Sequence, residues 1–219
     1  MRTYAVVAAI LGTAFVAFSL AVAAQFFVIS DLDLAGAMKT IWRPGLESAF
    51  RALALPGGLE AATLLGAVLF VVLWRAGYHL GAFATASIPL LTITELIYKH
   101  TINHPGPPLT LSHLDGPSLT DLVEGPRGSG WSFPSGHMSR TVLVYGLLAF
   151  VAQRLATQAW LRRLAAPLAA AIVLLMAFDR LYLEVHWESD VIGGLLLGGT
   201  YLAASVTWLE WSAARTGNE

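Results

Sequence analysis

The sequence predicts an all-α integral membrane protein built as a bundle of six transmembrane helices. Of its 219 residues, 56% are hydrophobic and 12% are charged, whereas a soluble domain usually carries about 25% charged residues. The mean hydropathy is +0.65. In addition, the apolar residues are gathered in runs that approach or exceed the length of about 20 residues needed to cross a bilayer. These three observations together place the chain in a membrane.

The first predicted span covers residues 4–28, an almost uninterrupted apolar run behind Arg2. Residues 21–24, Ala-Val-Ala-Ala, resemble a signal-peptide cleavage site, so a cleaved leader is the alternative interpretation. We favour a retained anchor, because the apolar run is longer than the usual signal-peptide core of about 7–15 residues.

The next segment, residues 31–57, is more polar and predicts an interfacial helical segment after the first span. Apolar residues recur there at helical spacing with charged residues on the opposite face, and Pro44 interrupts the pattern. We favour two short helices lying on the membrane surface, and a lateral gate for a lipid is the second interpretation. The apolar positions are Met38, Ile41, Trp42, Leu46, Phe50 and Leu53, and the charged ones are Lys39, Arg43, Glu47 and Arg51.

The remaining spans follow a simple order, and residues 1–219 are predicted to form one membrane domain. Between the third and fourth spans, residues 100–133 are polar and rich in Gly and Pro, too long for a simple connector. We therefore expect a long outer loop there. The five further spans are predicted at residues 59–74, 80–98, 138–156, 164–183 and 191–211.

The basic residues predict the orientation. They gather at one end of the spans, which should face the cytoplasm, and the acidic residues gather at the other. Both termini then lie in the cytoplasm of a bacterial cell, and the long loop faces the periplasm or exterior. The basic set is Arg2, Arg75, Arg154, Arg162, Arg163 and Arg215, and the acidic set is Asp31, Asp33, Asp115, Asp121 and Glu124.

Composition also excludes several functions. With no cysteine, the chain has no disulfide, no zinc-thiolate site and no cysteine nucleophile. A net charge of −1 argues against a nucleic-acid partner. Nothing in the sequence indicates an oligomeric state.

Three polar clusters are predicted to meet at the outer side: residues 99–108 after the third span, 134–137 at the start of the fourth, and 179–190 between the fifth and sixth. Pro134 and Ser135 suit the first positions of a helix, whose free N–H groups and dipole favour an anion. A histidine in that cradle can pass a proton to a leaving group. Together the clusters predict a phosphate site.

In this combination the sequence resembles the type 2 phosphatidic acid phosphatases, integral-membrane relatives of the vanadium haloperoxidases. The family pattern is Lys, six residues, Arg-Pro; then Pro-Ser-Gly-His; then Ser-Arg, five residues, His, three residues, Asp. This chain supplies residues 134–137 in full, and the resemblance covers most of the chain. The other matching residues are Lys99, Pro107, Arg180, His186 and Asp190.

The resemblance implies a mechanism without metal or cofactor. His186 would be the nucleophile that forms a phosphohistidine, oriented by Asp190, and His137 would protonate the departing lipid oxygen. Charged and polar groups would hold the phosphoryl oxygens in the transition state. These groups are Lys99, Arg180, Ser135 and the backbone around Gly136.

The chain departs from the family pattern at three positions. Gly106 stands where the family has Arg, His104 stands where a second Arg is often found, and Asp179 replaces the Ser. Loss of a bidentate Arg–phosphate contact would lower the rate. We predict that Arg140 or Arg127 replaces the missing arginine.

Other interpretations of these residues stay open. Lys99 could form a structural ion pair with Glu95, one helical turn earlier. His100 and His104 have the spacing of metal ligands on a helix, but we disfavour a metal because no acidic residue accompanies them in that turn and Pro105 ends the helix.

The leading functional hypothesis is a lipid phosphatase acting at the outer leaflet. Undecaprenyl pyrophosphate or a related polyprenyl carrier is the first substrate expected, on general grounds for bacterial members of the family. Phosphatidylglycerol phosphate, phosphatidic acid and lipid A phosphate follow. One alternative is a lipid-phosphate binder or transporter weakened by Gly106. Another is an intramembrane serine protease with Ser135 and His186.

Overall fold

The computed structural model describes residues 1–108 and 131–216. Within these residues the chain is all-helical, with no strand and one isolated bridge between His104 and Trp131. The α-helices are α1 (Arg2–Ala23), α2 (Val28–Ile41), α3 (Glu47–Ala54), α4 (Leu59–Arg75), α5 (His79–Ala82), α6 (Ser87–Thr101), α7 (Gly136–Leu155), α8 (Ala159–Tyr182) and α9 (Glu188–Thr216).

Several of these helices can cross a membrane. By length and composition, four described segments qualify, and a fifth qualifies if Pro44–Gly57 and Leu59–Arg75, bent by 41° at their junction, are taken as one span. The helix α7 is outside this set, and its first turns carry polar residues such as His137, Ser139 and Arg140. The predicted count of six spans therefore stays a prediction. The four segments are Arg2–Ala23, His79–Thr101, Ala159–Tyr182 and Glu188–Arg215.

Several helices have bounds that differ from those of the spans predicted there, and the span boundaries stay predictions. The helix α1 ends at Ala23 and does not reach residue 28, because the chain turns through Gln25, whose φ is 59°. The third span begins with a short helix and a 3₁₀ turn, Phe83–Ala86, before α6. The fifth begins at Ala159, five residues earlier than predicted, and contains Pro167.

The helical segment expected after the first span is present as α2 and α3, and it packs on the bundle. Phe50 of α3 stacks on Tyr182 of α8, with ring centroids 4.2 Å apart. On the outward side of α3, Arg51 pairs with Glu47. Whether this segment lies on the membrane surface or gates a lipid stays a prediction.

The helix α9 lies at the centre of the bundle and packs against α1 and α7. Two glycines allow this close approach. A Cβ on Gly194 would lie 2.7 Å from the Ser135 carbonyl oxygen, and one on Gly198 would lie 2.5 Å from that of Ser139. Only glycine leaves room for the backbone of α7 at these points. The contact brings the starts of α7 and α9 together.

The two ends of the bundle differ in their polar contacts. At one end the amino group of Met1 lies 2.7 Å from Glu210, which also pairs with Arg154. At the other end Asp31 bonds to Ser189. Three residues of the predicted acidic set, Asp115, Asp121 and Glu124, lie outside the described residues, so the grouping of charges stays a prediction. The side of the membrane that each end faces stays a prediction.

Candidate active site

The predicted anion cradle lies at the start of α7. Ser135 is the N-cap residue, and Gly136 begins the helix. The Ser135 N–H donates to the Asp190 carbonyl oxygen at 3.0 Å, which ties the cradle to α9. Its Oγ is fully buried, and within the described part of the chain it has no hydrogen-bond partner. A buried hydroxyl at a helix N-terminus suits an anionic ligand.

His137 lies in the first turn of α7, directly after Gly136. It is half-buried, so part of its side chain is accessible, and its carbonyl accepts a hydrogen bond from Thr141 at 2.7 Å. The helix therefore fixes its backbone beside the cradle.

His186 and Asp190 meet just before and within the first turn of α9. His186 Nδ1 lies 3.3 Å from Asp190 Oδ2, and the same oxygen accepts the Trp187 N–H at 2.8 Å. A carboxylate in the first turn that accepts the backbone N–H three residues earlier forms one half of a capping box. The capping role fixes Asp190, which in turn orients the imidazole.

Ser132 joins this pair, although no sequence motif indicates a role for it. Its hydroxyl donates to Asp190 Oδ2 at 2.5 Å, and its oxygen lies 3.2 Å from His186 Nδ1. Because the one hydroxyl hydrogen goes to the carboxylate, the serine oxygen can only accept from the imidazole. We infer that Nδ1 carries the hydrogen of His186, which leaves Nε2 with its lone pair.

Two of the predicted phosphate ligands share one buried carboxylate. Lys99 Nζ lies 3.7 Å from Glu95 Oε1, and Arg140 Nη1 lies 2.8 Å from Glu95 Oε2. Lys99 also donates to the Trp131 carbonyl at 3.2 Å, and Arg140 Nε donates to the Gly57 carbonyl at 3.3 Å. The structural ion pair left open from the sequence is thus present. Trp131 is followed directly by Ser132, so Lys99 is connected to the group formed by Ser132, His186 and Asp190, which we call the His186 cluster.

Arg180 pairs with Asp179, the residue that precedes it. Its Nε donates to Asp179 Oδ2 at 2.8 Å, Nη2 contacts the same oxygen, and both side chains are buried. Asp179, which stands where the family has Ser, is therefore paired with the neighbouring Arg180. Arg127, the other predicted replacement for the missing arginine, lies outside the described residues.

The two histidines considered as metal ligands point to different partners. His100 Nδ1 contacts the Leu96 carbonyl at 2.7 Å, and its ring packs against Trp131. His104 Nε2 lies 3.2 Å from Ser189 Oγ. Within residues 1–108 and 131–216, no three His, Asp or Glu side chains are grouped as metal ligands.

The chain matches the profile of one known protein family. The profile of the PAP2 superfamily matches residues 76–214, which include every residue of the cradle and of the His186 cluster. The chain belongs to the PAP2 superfamily. The resemblance predicted from the three sequence motifs is thereby confirmed.

Individual relatives are named as phosphatases. The chain is 37% identical over 71 residues to phosphatidylglycerophosphatase B of Bacillus subtilis, across 32% of this chain and 35% of that protein. It is 29% identical over 144 residues to the putative undecaprenyl-diphosphatase YbjG of Escherichia coli, across 64% of this chain and 65% of that protein. The chain therefore aligns with about one third and just under two thirds of these two proteins.

A solved structure shares the fold. The match is the crystal structure of a transmembrane PAP2 type phosphatidylglycerolphosphate phosphatase from Bacillus subtilis, with a TM-score of 0.71 and 22% identity. The alignment covers 94% of this chain and 96% of that one. At this level of identity the likeness concerns the fold.

Within this PAP2 chain, the position that lacks the family arginine faces the site. A Cβ on Gly106 would lie 3.2 Å from Ser132 Oγ, the hydroxyl that binds Asp190. The missing cation would thus have projected from a backbone position beside the His186 cluster. Membership of the PAP2 superfamily favours a phosphatase over the intramembrane protease considered from Ser135.

Proposed function

We propose that the protein hydrolyses the terminal phosphate of a lipid monophosphate or pyrophosphate. A polyprenyl pyrophosphate such as undecaprenyl pyrophosphate is the favoured substrate, and phosphatidylglycerol phosphate, phosphatidic acid and lipid A phosphate are the others. Membership of the PAP2 superfamily and the phosphatase names of two relatives support this proposal. The apolar helices supply a membrane setting for a lipid substrate.

One observation carries the mechanism. His186 Nδ1 lies 3.3 Å from Asp190 Oδ2 and 3.2 Å from Ser132 Oγ, so its hydrogen is held on that side of the ring. The opposite nitrogen, Nε2, then has a lone pair for attack on phosphorus. A nucleophile oriented by a second group, itself held by a third, is the usual arrangement for covalent catalysis.

The reaction then proceeds in two displacements. In the first, Nε2 of His186 forms a bond to phosphorus while the bond from phosphorus to the lipid oxygen breaks, and His137 donates a proton to that oxygen. In the second, the oxygen of a water molecule forms a bond to phosphorus while the bond from phosphorus to Nε2 of His186 breaks, and the water passes a proton to His137. Inorganic phosphate leaves, and both histidines return to their starting states without a metal or cofactor.

The transition state gathers negative charge on the phosphoryl oxygens, and its stabilisation supplies most of the catalysis in phosphoryl transfer. We assign this role to Lys99 and Arg180, to the N-terminus of α7 at Ser135 and Gly136, and to Arg140. Glu95 and Asp179 hold three of these cations in place through ion pairs. The carboxylate in each pair also partly neutralises the positive charge that the cation presents to the substrate.

We propose a location in the bacterial cytoplasmic membrane, with both termini in the cytoplasm and the active site facing outward. The basic residues near the bundle end that contains Met1 and Glu210 support this orientation. Ser189 and the His186 cluster lie at the start of α9, whereas Glu210 lies near its end. The site therefore opens at the end away from the termini.

The test is phosphate release by the purified full-length protein in detergent. The panel contains farnesyl pyrophosphate, dioctanoyl phosphatidylglycerol phosphate, dioctanoyl phosphatidic acid and lipid A. We expect release from at least one substrate and none from His186→Ala, with wild-type release from the matched control His79→Ala. His79 is exposed at the start of α5 and stacks near Trp74. Release that persists in His186→Ala contradicts the mechanism.

A second candidate, a lipid-phosphate binder or transporter, is favoured by Gly106 and by the carboxylates beside the cations. Direct binding measurements on the same panel separate the two. The binder predicts saturable binding of a lipid phosphate with no phosphate release from any panel member. The phosphatase predicts turnover, and acid-labile label on His186 after rapid quenching with ³²P-labelled substrate.

A further inference from the structure

A second histidine approaches the catalytic aspartate from the side opposite to His186. Asp190 Oδ2 contacts His186, Ser132 and the Trp187 N–H, whereas Asp190 Oδ1 faces His104 Nε2 at 3.5 Å. Oδ1 is buried, and within the described residues it accepts no hydrogen bond. His104 is only 7% exposed. The mechanism proposed above does not use it.

The backbone around His104 is fixed to the loop that carries Ser132. The Ser132 N–H donates to the His104 carbonyl at 3.1 Å, and the His104 N–H donates to the Ile102 carbonyl at 3.0 Å. Phe133 packs edge-on against the imidazole, with ring centroids 6.3 Å apart. The imidazole is therefore held by the same short segment that places Ser132 on Asp190.

Hydrogen-bond directions define which hydrogen the imidazole presents. The Ser189 hydroxyl donates to Asp31 Oδ2 at 2.8 Å, and the Ser189 N–H donates to Asp31 Oδ1 at 2.9 Å. Ser189 Oγ lies 3.2 Å from His104 Nε2. Since the single hydroxyl hydrogen is already given to Asp31, the serine oxygen can only accept, so Nε2 carries a hydrogen.

We propose that His104 is a positioning residue for Asp190: its imidazole, fixed by the hydrogen bond from Nε2–H to Ser189, places the positive end of a polar N–H bond 3.5 Å from Oδ1 and keeps Oδ2 turned toward His186. The inference rests on the proposed phosphatase function. At 3.5 Å the contact is longer than an ordinary hydrogen bond. It acts as an electrostatic attraction between a polar N–H and a buried carboxylate, which opposes rotation of the carboxylate.

The contact between His104 and Asp190 is a feature that the family sequence pattern does not contain. The family arginines are absent at positions 104 and 106, and position 104 instead carries a group that contacts the catalytic carboxylate. Side chains behind a catalytic residue commonly alter rates by about 10- to 100-fold when removed. Because His104 does not touch the substrate in this arrangement, its loss should lower kcat and leave KM nearly unchanged.

The experiment compares two substitutions at position 104 on the panel substrate that the wild type hydrolyses fastest. His104→Leu removes the N–H donor, and we expect kcat to fall about tenfold or more, with KM within about twofold of wild type. His104→Gln keeps an N–H donor of similar reach, and we expect kcat within about threefold of wild type. His79→Leu is the matched control and should leave both constants unchanged.

The outcomes separate this inference from the function on which it rests. An active wild type, inactivated by His186→Ala, whose His104→Leu variant keeps its kcat overturns the inference alone. Equal losses in His104→Leu and His104→Gln, or a loss confined to KM, also overturn it. A wild type that releases no phosphate overturns both. If His104→Leu does not fold, His104→Asn replaces it, because its shorter amide cannot reach Asp190; wild-type kcat in that variant contradicts the inference.

Discussion

Arg140 Nη1 lies 2.8 Å from Glu95 Oε2, and this contact joins α7 to α6 inside the bundle. The other oxygen of Glu95 faces Lys99 at 3.7 Å. One buried carboxylate thus holds two cations that are predicted from the sequence as phosphate ligands. Glu95 therefore fixes the positions of both cations where α6 packs against α7.

Removing the negative charge of Glu95 should destabilise the protein. Glu95→Gln leaves Lys99 and Arg140 buried without their shared counter-charge, and breaking a buried pair in this way costs about 3–5 kcal/mol. The control is Glu47→Gln, which removes the partly exposed pair with Arg51 and should cost about 1 kcal/mol or less. Thermal unfolding in detergent measures both, and equal shifts in Tm would contradict the prediction.

Loss of the Ser132 hydroxyl should slow the chemical step. Ser132→Ala removes one hydrogen bond to the Asp190 carboxylate, and a hydrogen bond to a charged group corresponds to about tenfold in kcat. Ser30→Ala is the control, because the exposed Ser30 hydroxyl bonds to the Phe27 carbonyl of its own helix end. Steady-state kinetics provide the measurement. A kcat for Ser132→Ala equal to that of Ser30→Ala would exclude Ser132 from the catalytic arrangement.

Restoring the family arginine should raise the rate. Gly106→Arg places a cation beside Ser132, where a new Cβ meets Ser132 Oγ at 3.2 Å and requires a shift of only a few tenths of an ångström. We expect kcat/KM to rise about tenfold, because the guanidinium stabilises charge on the phosphoryl oxygens. Gly36→Arg, at a helical position with open space around it, controls for added charge. An unchanged kcat/KM in Gly106→Arg would refute the idea that the missing arginine limits the rate.

The stability of the protein should depend on the ionisation of Asp31. Burial raises the pKa of Asp31 above its ordinary 3.8 and the nearby Asp190 adds to the rise, while hydrogen bonds from Ser189 and the charge of His104 oppose it. The folded state therefore holds the proton of Asp31 to a higher pH than the unfolded state does. This contribution to stability is fully present below pH 3.8 and is lost as the pH rises through the folded-state pKa.

The measurement is Tm against pH for the wild type and Asp31→Asn. We expect the Tm of the wild type minus the Tm of Asp31→Asn to be largest at low pH and to decrease as the pH rises. Asp33→Asn, whose aspartate lies on the exposed side of α2, is the control and should give a difference that varies less with pH. A difference for Asp31→Asn that grows with pH would reverse the assigned direction.

Sequence reasoning reached the motif residues because they are close in the chain or share a known spacing. His186 and Asp190 are four residues apart, and residues 134–137 follow one another at a helix start, so local geometry was enough to pair them. Glu95 and Lys99 were paired for the same reason. Ser132 was overlooked although it lies two residues before Pro134, since a lone serine in a loop carries no signal of its own.

The residues that sequence reasoning could not connect are far apart in the chain. Asp31 and Ser189 are 158 positions apart, and His104 and Ser189 are 85 apart, yet both pairs are in hydrogen-bond contact. The end of α1 was also misjudged, because hydropathy continues smoothly past the turn at Gln25. Apolar composition reports where a chain can be buried and says little about where its backbone turns.

The sequence by itself determined the membrane class, the helical character, the family and the motif residues of the candidate site, because these depend on composition and on short-range spacing. Only the tertiary structure decided how the cations are shared and what holds the aspartate. Glu95 binds both Lys99 and Arg140, and Asp190 lies between His186 and His104. Such partners are chosen by the packing of α6, α7 and α9, and packing brings together residues that no local pattern links.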